Sequence, residues 1–159
     1  MTTREQLIDG LSLVIREGLR VTATFAPDDW KRQVRSDEGG WTRKQIYGHL
    51  TATAEITPGA VANLAALPEG QDAAGGFDID AFNAQMVAAK EQLGEKELMD
   101  AFKSCYEKVI EFVKAMPEEQ LQKRATFGLL EGPVIDIMDS ILVLHSIAHI
   151  YSAGGSVTG

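Results

Sequence analysis

Apolar positions in the first quarter of the chain recur at alternating spacings of three and four. Leu7, Leu11, Val14, Ile15, Gly18, Leu19, Thr22 and Phe25 fall on one stripe, which predicts an amphipathic helix from about Thr3 to Phe25. Thr2 or Thr3 can cap it, and Pro27 stops it. Pro27-Asp28-Asp29 reads as a turn, and Trp30 to Gly40 as a polar connection ending on Gly39-Gly40. A second helix starts after Thr42. Thr42 and Gln45 have the spacing of a capping box, and Trp41 and Ile46 that of a hydrophobic staple. Its apolar face holds Ile46, His49, Leu50 and Ile56. At Pro58-Gly59 this helix either kinks and continues to Leu67 or ends.

Pro68 to Gly76 reads as a loop. Asp78 or Asp80 can cap a third helix with Phe82, Met86, Val87 and Leu93 on its face, broken at Gly94. Glu95 to Met116 is a long amphipathic helix built on Leu98, Phe102, Cys105, Tyr106, Val109, Ile110, Val113 and Met116. Pro117 ends it. Glu118 to Gly132 is a connection with one short turn at Glu118–Leu121, and Pro133 suits the first position of a last helix. That helix runs to about Ala153 and is terminated by Gly154-Gly155. Met138, Ile141, Leu142, His145, Ala148, His149 and Ser152 share one of its sides. No run alternates strictly between apolar and polar residues, so no strand is predicted. Four or five helices with short connections imply an all-α four-helix, up to five-helix, bundle.

Length and charge narrow the picture. A chain of 159 residues reads as a single domain spanning 1–159. The formal net charge of −8 is poorly suited to neutralising phosphates, so no nucleic-acid partner is expected. One cysteine, Cys105, permits no internal disulfide and fits a reducing compartment. Asp9, Arg16 and Glu17 interrupt any signal-peptide pattern, and no uncharged run reaches about 18 apolar residues. The expectation is a soluble cytoplasmic protein with no membrane partner.

The candidate chemistry lies in three histidines. His145 and His149 form an H-x-x-x-H pair in an apolar run, on one helix face and about 6 Å apart along the axis. His49 projects from the apolar side of the second helix. A lone histidine on such a face is more often a hydrogen-bonded core residue than a ligand, and H-x-x-x-H alone is a weak signal. Burying three imidazoles without partners is costly, however, and a shared metal would satisfy all of them. Spacing alone leaves the core and metal readings balanced. Gln45, Thr53 and Ser152 lie one turn from a histidine and could reach a pocket or face solvent. Asn83 is a further candidate. Cys105, among Phe102 and Val109, reads as packing. No phosphate loop, C-x-x-C pair or nucleophile elbow is present.

The layout resembles the DinB-like superfamily of metal-binding helix bundles, which includes the mycothiol-dependent maleylpyruvate isomerases and the bacillithiol transferases. The matching features are the segment Trp41-Thr42-Arg43-Lys44-Gln45-Ile46-Tyr47-Gly48-His49-Leu50, the late His145/His149 pair, and Phe82-Asn83-Ala84 between them. The resemblance implies that His49, His145 and His149 are the ligands of a divalent ion, Zn²⁺ or Ni²⁺ first among the metals that imidazole suits. It further implies a thiol-dependent S-transferase or isomerase acting on a small molecule with a low-molecular-weight thiol, with a homodimer expected. The alternatives are a metal-dependent hydrolase and a non-catalytic, stress-associated metal-binding protein. Ser146, Ile147 and Ala148 within the pair depart from the polar residues that family members often carry there.

Overall fold

A computed structural model describes residues 1–34 and 40–154. Gly39 and Gly155, each half of an expected glycine pair, lie outside those residues. Helix α1 (Arg4–Thr22) begins at a capping box: Thr3 accepts the backbone N–H of Gln6, and the Gln6 side chain accepts that of Thr3. It ends three residues before the predicted Phe25. There Thr22 Oγ1 donates back to the Gly18 carbonyl, and a 3₁₀ turn (Pro27–Lys31) buries Trp30.

Helix α2 (Arg43–Ala66) opens with the predicted Thr42–Gln45 capping box. It passes through Pro58 without ending. Thr53 Oγ1 donates to the His49 carbonyl and Thr57 Oγ1 to the Thr53 carbonyl along the same stretch. Helix α3 (Ile79–Lys90) is capped by Asp78, whose side chain accepts the Ala81 N–H. Helix α4 (Glu95–Ala115) carries a deep stripe of Leu98, Phe102, Tyr106, Val109 and Val113. Arg4 donates to the carbonyl of Met116 at 2.7 Å, just past the end of α4, and so ties it to the start of α1. Helix α5 (Glu118–Gln122) is the short turn expected after Pro117.

Helix α6 (Val134–Ser152) is one element made of an α segment to Asp139, a π turn over Ser140–Leu144 and a second α segment from His145. It is long and apolar enough by length and composition to cross a membrane, yet half of it is buried inside the bundle. Pro133 stands at its N-cap rather than its first turn.

The four long helices α1, α2, α4 and α6 close a ring in which α2 packs on α4, α4 on α1, α1 on α6 and α6 on α2. Helix α3 lies outside, on α2. Gly48 permits that approach, because a Cβ there would stand 3.2 Å from Lys90 Cβ. Leu7, Leu11, Ile46, Leu50, Phe102, Tyr106, Ile135 and Leu142 fill the centre with no solvent exposure. Each buried side chain of this size contributes about 1.5–3 kcal/mol.

Two further findings depart from the sequence reading. The first is an antiparallel hairpin, β1 (Arg124–Phe127) with β2 (Leu130–Pro133). Its two-residue turn starts at Gly128, whose φ of 60° suits the first central position of a mirror-image turn. The strands are too short and too mixed to show alternation. They are held by a neighbouring loop: Asp72 Oδ1 accepts the Gly128 N–H, and Ala73 donates to the Thr126 carbonyl.

The second concerns the face of α6. A regular helix would place Ala148 and Ser152 on the inward side of Met138 and Leu142. Instead both are exposed, and the buried positions are Ser146, His149, Ile150 and Ala153. The π turn is the cause. Its backbone bond runs from the His145 N–H to the Ser140 carbonyl, five residues back rather than four. One extra residue in a turn shifts everything beyond it by about 100° around the axis.

Candidate metal centre

His49 lies in the second turn of α2, which the Thr42 capping box fixes in place. His145 and His149 lie on successive turns of α6 immediately after the π segment. These two helices are neighbours in the ring, so the three imidazoles converge. Ring centroids of His49 stand 5.3 Å from those of both His145 and His149, and the latter two are 4.4 Å apart. His145 Nε2 and His149 Nε2 are separated by 2.9 Å. One nitrogen from each ring falls within 4.8 Å of the others.

A tetrahedral ion with bonds of about 2.0–2.1 Å holds its ligand atoms roughly 3.3 Å apart. The 2.9 Å pair and the 4.8 Å limit bracket that value. Three histidines leave coordination positions open, and His145 is the half-buried member of the set while His49 and His149 are buried. The cluster can therefore hold a metal ion reachable from the side of His145. Half-buried Trp41 flanks it, its ring centroid standing 5.0 Å from that of His49.

The surroundings of the site are pinned. Arg43, at the start of α2, lies 4.8 Å over the Phe25 ring and 3.6 Å from Asp29. It also packs on Gly154 at the end of α6, where a Cβ would stand 2.7 Å from Nη2 and where φ is 122°. That contact joins the first turn of the His49 helix to the end of the other histidine helix.

The remaining candidates have partners or positions of their own. Gln45 closes its capping box and donates to Glu91 at 2.6 Å. Thr53 bonds the His49 carbonyl, and exposed Ser152 bonds the carbonyls of Ala148 and His149. Asn83 is half-buried on α3. Burial, then the charge of Glu55, pushes the Cys105 thiol up, as suits a packing residue and not a nucleophile.

Sequence reasoning missed Ser146. It is fully buried and shares a 2.8 Å hydrogen bond with Tyr106 across the core. Only the π turn, which has no side-chain signature, turns it inward.

No curated protein and no solved structure matches the chain. Residues 11–139 match the family model described as the mycothiol maleylpyruvate isomerase N-terminal domain. His49 lies within the matched span, and His145 and His149 lie just past its end. With most of its length covered by that match, the chain belongs to the mycothiol maleylpyruvate isomerase N-terminal domain family, a DinB-like group of helix bundles.

Proposed function

We propose that His49, His145 and His149 hold one divalent ion, Zn²⁺ or Ni²⁺, and that the protein is a thiol-dependent S-transferase or isomerase acting on a small electrophile. The observation that carries this reading is the convergence of three imidazole nitrogens within 4.8 Å at the edge of a bundle core. A divalent ion with open positions lowers the pKa of a bound thiol or water and polarises a carbonyl. The chain itself supplies orientation: the Trp41 ring lies against that of His49 at 5.0 Å between centroids, tilted by 47°. Family membership supports the thiol, whose class includes mycothiol, bacillithiol and glutathione. We place the protein in the cytoplasm, as a homodimer working on small molecules with no nucleic-acid or membrane partner.

The test combines metal analysis with turnover. Protein purified without an affinity tag is expected to carry about one metal per chain and to consume a model electrophile only in the presence of one of those thiols. Ester or amide hydrolysis without any thiol, lost in the histidine variants, would assign a hydrolase instead. Bound metal without turnover of either kind would leave a metal-binding protein.

A further inference from the structure

We infer that Tyr106 and Ser146 are positioning residues for the histidine cluster, fixing the rotational setting of the His145–His149 segment against His49. The inference rests on the metal-centre reading above. Helices α4 and α6 face each other diagonally across the ring. The Tyr106–Ser146 bond spans that diagonal at 2.8 Å, with both residues fully buried. Ser146 follows His145 directly and precedes His149 by less than one turn.

This bond matters because of what lies just before it. The π turn over Ser140–Leu144 costs regular hydrogen bonding, and its relaxation to α geometry would turn the histidine segment by about 100°. That rotation would carry His145 and His149 off His49 and Ser146 away from Tyr106. One rotational setting therefore satisfies both the hydroxyl pair and the cluster.

Tyr106 is itself referenced to the helix bearing His49. Its ring contacts Phe102 at 4.9 Å, and Phe102 contacts Tyr47 at 5.7 Å, two residues before His49 on α2. Phe102 is held in turn against Gly18 of α1, where a Cβ would come within 2.6 Å of its ring. A train of buried rings thus runs from α2 to the Ser146 hydroxyl. Burial keeps the Tyr106 phenol neutral, so this pairing is a hydrogen bond between uncharged groups.

The experiment is Co²⁺ titration of metal-free protein in competition with a chelator, read as affinity and as the visible absorption of the bound ion. Tyr106→Phe and Ser146→Ala are each expected to weaken Co²⁺ about tenfold and to alter the absorption band. Groups that bond metal ligands directly change affinity by about ten- to a hundredfold, and this pair, one residue removed, is expected at the lower end. The double variant is expected to lose no more than either single one, because the two hydroxyls act as a unit. Unchanged affinity and spectrum in Ser146→Ala, with only a lower melting temperature, would reduce the pair to a packing contact and overturn the inference. Ser146→Ala carries the test even where Tyr106→Phe fails to fold. Wild-type protein that binds no Co²⁺ would instead overturn the metal reading itself.

Discussion

His145 Nε2 and His149 Nε2 stand 2.9 Å apart on consecutive turns of α6, and the ring of His49 closes on both from α2. Losing any one ring leaves two donors, too few for the arrangement proposed. His49→Ala, His145→Ala and His149→Ala are each expected to weaken metal binding by roughly a hundredfold or more, about 2.8 kcal/mol. Elemental analysis of the three variants checks this. Metal content equal to wild type in all three would place the ion elsewhere.

Protons compete with a metal for the same nitrogens. Binding needs neutral imidazole, and an ordinary imidazole takes up its proton near pH 6.5. Below that pH the unfolded chain holds protons that the metal-loaded fold excludes. The stability conferred by the ion is thus fully present above about pH 6.5 and is lost as the pH falls. Paired melts with and without chelator are expected to differ at pH 8 and to coincide at pH 5. A gap of the same size at both ends would contradict the shared site.

Two glycines are expected to respond to alanine with opposite signs. In Gly18→Ala the new methyl meets the Phe102 ring at 2.6 Å, an overpacking that costs about 1–3 kcal/mol. In Gly59→Ala the methyl meets nothing within 4 Å on an exposed turn of α2, and helix propensity gains roughly 0.5–1 kcal/mol. Thermal denaturation reads both, at about 2–4 °C per kcal/mol for a chain of this size. Equal melting temperatures for the two variants would refute the packing assigned to Gly18.

Asp72 staples the hairpin to its neighbouring loop. The backbone N–H groups of Gly128 and Ala74 lower its carboxyl from the ordinary value of 3.8. A lowered value means that the contribution is present above that ordinary value and is lost as the pH falls through the folded one. Asp72→Ala is expected to melt below wild type at pH 7 and level with it at pH 2. A difference that persists unchanged in acid would assign the effect to something other than the carboxylate.

The helices were legible because their ends carry local chemistry. Thr3, Thr42 and Asp78 cap where the spacing predicts, and the bundle follows from apolar stripes that such caps delimit. The clustering of the three histidines was legible because each lies on an apolar helix face, and such faces meet inside a bundle. The hairpin was not, since strands of four residues held by Asp72 depend on a contact with a remote loop. The facing of Ser146 was not either. A one-residue shift such as the π turn makes is invisible to a pattern read with a constant period. Pro58 left two outcomes open, and packing on both sides of α2 carried the helix through it.

The pairing of α2 with α6 also orders events in time. During synthesis His49 emerges first, and roughly a hundred residues, some 5–20 s of elongation, follow before His149 is available. The contacts open to the chain in the meantime are those of α1, α2, α3 and α4 with one another. An ion that needs all three rings can be captured only when α6 docks, so metal uptake would report the closing of the helix ring.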